Sequence, residues 1–251
     1  MPASAVYLLD ADPDLADFLD VETLEQARPY AIARVGDADP GSWEAAAAHA
    51  AQPTDLGLLI LDGVAIRDVQ VDGRSATEIL GGGDLLRPWD PEDDMLFVRP
   101  AVSWTIISPL RFAVLDARFP VVAARWPALM SALMSRALRR SRALGYHLAV
   151  SQITGVETRI LIVLWEFAAR WGQVHPDGVA LRLGVTHEML ARLIGARRPS
   201  VTTALRGLSE QRCVTQDGPG RWFLHGTPPR PAPTVAAALR TLTQGRDASA
   251  S

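Results

Sequence analysis

The chain has 251 residues, 48% of them hydrophobic, enough to bury one large core or two smaller ones, which excludes a disordered or fibrous protein and makes two domains the expectation. One cysteine, Cys213, excludes an intrachain disulfide framework and a thiolate cluster, and the absence of lysine excludes every lysine-dependent mechanism. The net charge of −3 hides an asymmetry: residues 1–118 carry 8 Arg against 21 acids, 119–150 carry 5 Arg and no acid, and 151–230 carry 10 Arg against 6 acids, so only the second half can attract nucleic acid.

At the amino terminus, MPASAVYLLDADPDL has no basic segment ahead of an apolar run. The most apolar stretch, Ile160 to Trp165, is too short to span a bilayer, so the expectation is a soluble, cytoplasmic protein. Residues 10 to 52 read as acidic and alanine-rich helical pieces, including the run Ala45 to Ala48. From 56 to 115, LGLLILDG, VAIRDVQVDG, RSATEILGGGD, MLFVRPAVSWTII and LRFAVLD are β-branched and aliphatic segments punctuated by Gly, Asp and Pro. They predict short antiparallel strands rolled into a barrel or jelly roll. A second reading of the same region is a response-regulator receiver, with paired acids in VYLLDADPDL and a phosphate-accepting Asp62. That chemistry wants a lysine and intervening helices, and the chain supplies neither between 63 and 115.

From Phe119 the period becomes helical. Trp126, Met130, Leu133, Ala137, Ser141, Leu144 and Leu148 recur at spacings of three and four and lie along one stripe of a long helix. So narrow a seam suits a partner helix, with Trp126, Met130, Leu133, Ala137 and Leu144 at a dimer interface; the alternative is that the stripe packs on the barrel. GVETRILIVLWEFAARWG is apolar on more than one side and predicts a helix buried in the next domain. HPDGVALRLG then offers a turn and a short strand.

LIGARRPSVTTALRGL carries the most specific signal. Thr186 can cap a helix whose inner face is Met189, Leu190, Leu193 and Ile194, and Gly195 can end it with a left-handed residue. The next helix begins near Arg198 and Pro199, since proline is tolerated where first-turn amides have no intrahelical partner. Val201, Leu205 and Leu208 face inward, leaving Pro199, Thr202, Thr203 and Arg206 outward. RCVTQDGPGRWFLHG follows as two short strands around an Asp-Gly-Pro-Gly turn. A helix-turn-helix followed by such a hairpin is a winged helix, whose second helix enters the major groove of double-stranded DNA. Arg198 can pair with guanine, Thr202 and Thr203 can meet a base edge or a thymine methyl, and Arg206 can hold phosphate. With Arg197, Ser200 and the wing's Arg221 they make the candidate DNA-binding set. The five histidines (His49, His147, His175, His187 and His225) are scattered, and no Gly-x-Ser-x-Gly elbow, Walker loop or metal-spaced pair points to an enzyme or a metal site.

Over VTHEMLARLIGARRPSVTTALRGLSEQRCVTQDGPGRWFLHG the chain resembles the Crp/Fnr transcription regulators, whose domain order is also strands, a long helix and a winged helix. The resemblance implies an α+β architecture: a β-roll sensor domain over 1–118, a long dimerisation helix over 119–150, a winged helix-turn-helix over 151–229 and a Pro/Ala-rich tail over 230–251. It implies a homodimer on an inverted-repeat operator, RNA polymerase as a partner if the protein activates, and a small-molecule effector, with no membrane role and no cofactor. Arg198 matches the family's recognition arginine; Pro199 stands where many members have glutamate and Thr203 where some have a second arginine. Gly82, Gly83 and Asp84 resemble the turn before the family's effector pocket, with Arg87 and Arg99 as candidate anion contacts. The Gly-Glu-aliphatic and Arg-Ser/Thr-Ala segments that hold a cyclic phosphate are replaced by LGGGDLLRPWDPEDD and PAVSWTIIS, so cyclic AMP is not the expected effector, and the sensor is expected to take an apolar or neutral ligand, or none.

Overall fold

The computed structural model describes residues 4–45, 52–90 and 97–228. After strand β1 (Ala5–Tyr7) come three short helices, α1 (Leu8–Ala11), α2 (Pro13–Ala16) and α3 (Val21–Ala27). Asp12 caps α2 by accepting from the Leu15 amide at 3.2 Å, and Asp20 caps α3 by accepting from the Thr23 amide at 2.8 Å. The chain then extends as β2 (Ile32–Ala38) and β3 (Gly41–Ser42), so the helical expectation for 10 to 52 holds only in its first part. Ala46 to Ala48 lie outside the described residues.

The strands β4 (Gly57–Val71), β5 (Arg74–Gly81), β6 (Leu85–Leu86) and β7 (Ala101–Leu115) complete one antiparallel sheet, in the order β1-β2-β7-β4-β5, with β3 beside β7 and β6 beside β4. Two breaks expected from the sequence, at Gly63 and near Pro109, are not chain reversals. β4 and β7 pair along their length from Gly57 with Leu115 to Gln70 with Ala101, and the register slips between Ile60 and Ala65. Gly63 (φ 90°) sits in that irregularity, where a Cβ would lie 2.2 Å from the Pro109 carbonyl oxygen, so only glycine lets the strands cross so closely. The bulge bends both long strands and curls the sheet into a roll. Alternation then sorts the side chains: Leu58, Ile60, Leu80, Leu86 and Phe112 fill the interior with Trp43, Trp89 and Trp104, while Leu59, Ala113 and Leu115 face the helices outside. Asp62 lies within the antiparallel β4, and β4 joins β5 with no helix between them, which removes the receiver reading.

α4 (Arg118–Ala123) turns the chain into the 25-residue helix α5 (Pro127–Ser151). Its inner stripe, Leu129, Leu133 and Arg136, packs on the roll and on α1 and α2. Arg136 is buried and donates to Asp12 at 2.7 Å. Burial pushes the Asp12 carboxyl above its ordinary range, against the pull of Arg136. The dimer stripe expected from the sequence is therefore split. Leu133 is only 1% exposed, inside its own protomer's core, and Trp126 and Met130 pack against that same core. Ala137 and Leu144 stay exposed, next to an outer seam at Met134, Leu138, Ser141, Gly145 and Leu148, of which Met134 (60%), Leu138 (51%) and Leu148 (67%) are the large apolar members. Periodicity shows that a stripe exists; the position of α1 and α2 decides which one is already covered.

The last domain is α6 (Val156–Trp171), β8 (Gln173–His175), β9 (Gly178–Arg182), α7 (His187–Leu193), α8 (Arg198–Glu210), β10 (Val214–Gln216) and β11 (Arg221–His225), its four strands antiparallel in the order β10-β11-β9-β8. Its core includes Val64, Ile66 and Ile79 of the roll, so the two domains share one hydrophobic cluster. Ion pairs frame that contact: Arg170 with Asp84 at 2.8 Å and Arg192 with Asp68 at 3.1 Å, while Arg140 of α5 grips Glu78 with two bonds of 2.6 and 2.8 Å. Among the described residues no helix is long and apolar enough to cross a membrane.

Candidate nucleic-acid interface

α7 begins where Thr186 accepts from the Met189 amide at 3.3 Å, and ends at Gly195 with φ 64°, both as the sequence predicts. α8 starts at Arg198 with Pro199 in its first turn, and Val201, Ala204, Leu205 and Leu208 bury its inner face. Arg197, Arg198, Pro199, Ser200, Thr202, Thr203 and Arg206 are all exposed. No side chain caps the start of α8, so the first-turn amides of Arg198 and Ser200 lack intrahelical partners and present the positive end of the helix dipole to solvent. An anion is the natural partner of such an end.

The outward residues divide between two sides of α8. Arg198 lines a groove of about 630 Å³ closed by the start of α7 and by the wing at Gly218, Pro219 and Gly220, and Thr202 and Arg206 continue that side. Ser200 and Thr203 look the other way, toward Val156 and Glu157 at the start of α6. Arg221 stands in the wing, where its guanidinium donates to the Asp217 carbonyl at 2.8 Å and pairs with the Asp217 carboxylate at 3.1 Å. The wing is held by close backbone approach: Gly220 (φ 65°) abuts Gly184, and a Cβ there would sit 2.2 Å from the Gly184 Cα.

Two residues at this site were not singled out from the sequence. His187, read there only as one of five scattered histidines, lies between the recognition helix and the wing, with Nδ1 3.1 Å from Thr202 Oγ1 and Nε2 3.3 Å from Gln216 Oε1, its ring 6.0 Å from that of Trp222. Thr202 also donates to the Arg198 carbonyl at 3.1 Å, so its hydroxyl proton is committed within the protein, and its methyl and a remaining acceptor lone pair are left to meet a base. Arg159 of α6 donates to the carbonyls of Ser151 at 3.2 Å and Ile194 at 2.8 Å, and so ties the end of α5 to the turn before α8. A lone arginine inside the apolar run VETRILIV was the available signal.

The residues expected to form an effector pocket do not converge. Asp84 is buried, its carboxylate taken by Arg170 and by the Gly81 amide at 2.9 Å. Gly83 (φ 84°) lies under Arg136, and a Cβ there would be 2.5 Å from that guanidinium; Gly82 is half-exposed beside it. Arg87 grips Asp90 with bonds of 2.6 and 3.0 Å and donates to the Asp55 carbonyl, and the Asp90 bond raises its pKa. Arg99 is exposed in the segment leading to β7. The turn that resembles an effector loop thus clamps the roll to α5 and α6. Among the described residues no group of three or more His, Cys, Asp or Glu could hold a metal ion.

Residues 158–225, from within α6 to the end of the wing, match the family described as the Crp-like helix-turn-helix domain. No curated protein matches the chain in sequence. Similar solved structures include FixK2 from Bradyrhizobium japonicum, with a TM-score of 0.58 and 14% identity, over 77% of this chain and 93% of that one. A CooA mutant from Carboxydothermus hydrogenoformans aligns with a TM-score of 0.56 and 16% identity, over 76% of this chain and 83% of that one. A CRP-family transcriptional regulator from Thermus thermophilus, TTHB099, aligns with a TM-score of 0.53 and 18% identity, over 76% and 92%. At these identities the likeness is one of fold, and it extends through the roll and the long helix as well as the helix-turn-helix.

Proposed function

We propose that this chain, a Crp-like helix-turn-helix domain carried on the fold shared with CRP-family regulators, is a cytoplasmic, sequence-specific DNA-binding transcription regulator that acts as a homodimer. The observation that carries the reading is α8: a 13-residue helix with an uncapped amino end, an exposed Arg198, Ser200, Thr202, Thr203 and Arg206, and a wing beside it. In the major groove, Arg198 reads a guanine, Thr203 and the Thr202 methyl meet neighbouring base edges, and the first-turn amides with Arg197, Arg206 and the wing's Arg221 hold phosphates. An acidic roll and a basic carboxy-terminal half orient the protein on the duplex.

The dimer in this reading forms along the outer seam of α5. Met134, Leu138, Ser141, Gly145 and Leu148 alternate at spacings of four and three, the period of a two-helix seam, with Ala137 and Leu144 beside it. Small residues at Ser141 and Gly145 let the helices approach closely midway. A two-fold dimer then presents its recognition helices to an inverted repeat with half-sites about 34 Å apart. RNA polymerase is a further partner if the bound protein activates. Cyclic AMP is not the effector: Arg87 is engaged by Asp90, and the roll interior is filled by Trp43, Trp104 and Phe112, whose rings lie 5.9 Å apart around Trp43. Selection of bound duplexes from a random pool, followed by footprinting, tests the function. An inverted repeat with one-turn spacing is expected; equal binding to all sequences at physiological salt would refute it.

A further inference from the structure

At one end of the roll, where β2, the end of β7 and α4 meet, a cavity of about 670 Å³ opens to solvent. It lies apart from the helix-turn-helix, reaches the roll interior only at Val114, and its size falls in the range of small-molecule sites. Ile32 and Val114 form one apolar wall, and Phe119 and Val122 of α4 the other. At the rim Tyr30 is half-exposed yet braced, its ring 5.8 Å from that of Trp126 and 5.9 Å below the Arg125 guanidinium.

The charged groups of the lining are not equivalent. Asp116 is turned toward the protein: Oδ1 accepts from the Arg118 amide at 3.0 Å, and Oδ2 lies 3.7 Å from Arg34 Nε. Asp55 is only 1% exposed and accepts from the Gln52 amide at 2.8 Å. Arg118, by contrast, is exposed at the mouth, and no ion pair or hydrogen bond of its guanidinium is formed with any described residue. An apolar trough with one uncommitted guanidinium at its edge suits a ligand with a single anionic end and an apolar body.

We propose that this cavity binds an amphiphilic organic acid, its carboxylate held by Arg118 with Arg34 beside it, and its aliphatic or aryl body lying between Ile32 and Val122. A bare inorganic anion would leave the apolar walls wet, and a neutral hydrocarbon would gain nothing from the guanidinium, which stays hydrated. Because α4 leads directly into α5, the bound acid is placed to act as an effector of the proposed regulator, a role that rests on that reading.

Calorimetric titration of the full chain with decanoate, 1-decanol and inorganic phosphate tests the site without DNA, so its failure is distinguishable from failure of the DNA-binding reading. One saturable decanoate site per protomer is expected, and no saturable phosphate site. Arg118→Gln should weaken decanoate about tenfold and leave 1-decanol unchanged, because it removes only the charge-assisted contact. Ile32→Glu, on an exposed strand position, should abolish decanoate binding while the protein melts as a folded chain. Absence of saturable decanoate binding would overturn the proposal. So would decanoate binding unaffected by both substitutions, which would place the acid elsewhere, as on the α5 seam, and so would phosphate binding alone.

Discussion

Leu133 and Leu138 lie five residues apart on the same helix, are chemically identical, and should fail in different ways when truncated. Leu133 is 1% exposed among Leu8, Leu15, Leu59 and Leu115, so Leu133→Ala removes buried methyl groups and leaves a cavity. Its expected cost is about 2 to 5 kcal/mol of folding stability. Leu138 is 51% exposed in the protomer, so roughly half of its side chain remains to be buried by a partner. Complete burial of a leucine is worth about 1.5 to 3 kcal/mol, which leaves about 1 kcal/mol per side chain, or about 2 for the symmetric pair. The dimer dissociation constant of Leu138→Ala should therefore rise about thirtyfold with the protomer's folding intact. Sedimentation equilibrium across a concentration series gives the first quantity, and urea unfolding of the dissociated protomer gives the second. If Leu138→Ala dimerises normally, or if Leu133→Ala dissociates the protein without destabilising the protomer, the assignment of inner and outer stripes is wrong.

Arg198→Ala should cost about 1 to 3 kcal/mol on the selected operator and relax the preference at one base position, read by competition among single-base operator variants. Arg206→Ala should weaken binding to all sequences alike and lower the slope of log affinity against log salt by about one, measured by titration at several ionic strengths. Asp20 accepts from both the amide and the hydroxyl of Thr23, which holds its carboxyl below the ordinary range. A lowered folded-state pKa gives stability that is present above the unfolded value and lost as pH falls through the folded one, so the advantage of the native chain over Asp20→Asn should be present at neutral pH and vanish in acid, seen in urea melts across that range.

The helix-turn-helix is legible in the sequence because its determinants are local. Thr186, Gly195, Pro199 and the aliphatics between them lie within a few residues of the backbone they shape, and the structure places each as expected. The roll is legible only as strand content. Gly63 reads as a turn from its neighbours in sequence, whereas the strand runs on through it in a pairing with β7, where Pro109 lies 46 positions later. The inner and outer stripes of α5 are offset by five residues, both carry apolar side chains at helical spacing, and the choice between them is made by α1 and α2, joined to α5 through Asp12 and Arg136 across a separation of 124 residues. The effector turn misled for a related reason: GGGD has the shape of a ligand loop, but Arg170, 86 residues on, claims its carboxylate.

Arg159 has a mechanical consequence. By bonding to the carbonyls of Ser151 and Ile194 it couples the end of α5 to the turn that launches the recognition helix. The 25 residues of α5 rise about 37 Å, and because its inner stripe packs on the roll while the reading head shares a cluster with Val64, Ile66 and Ile79, the roll, α5 and the recognition helix hold one another in register along that whole length. A tilt of about 5° over that length would displace the tip by about 3 Å, close to the 3.4 Å step between adjacent bases along a strand. In the proposed dimer, moving Arg198 from one base pair to the next therefore requires the shared cluster to shift and the Arg170–Asp84 and Arg192–Asp68 pairs to open, so the placement of the recognition helix is coupled to the state of the roll.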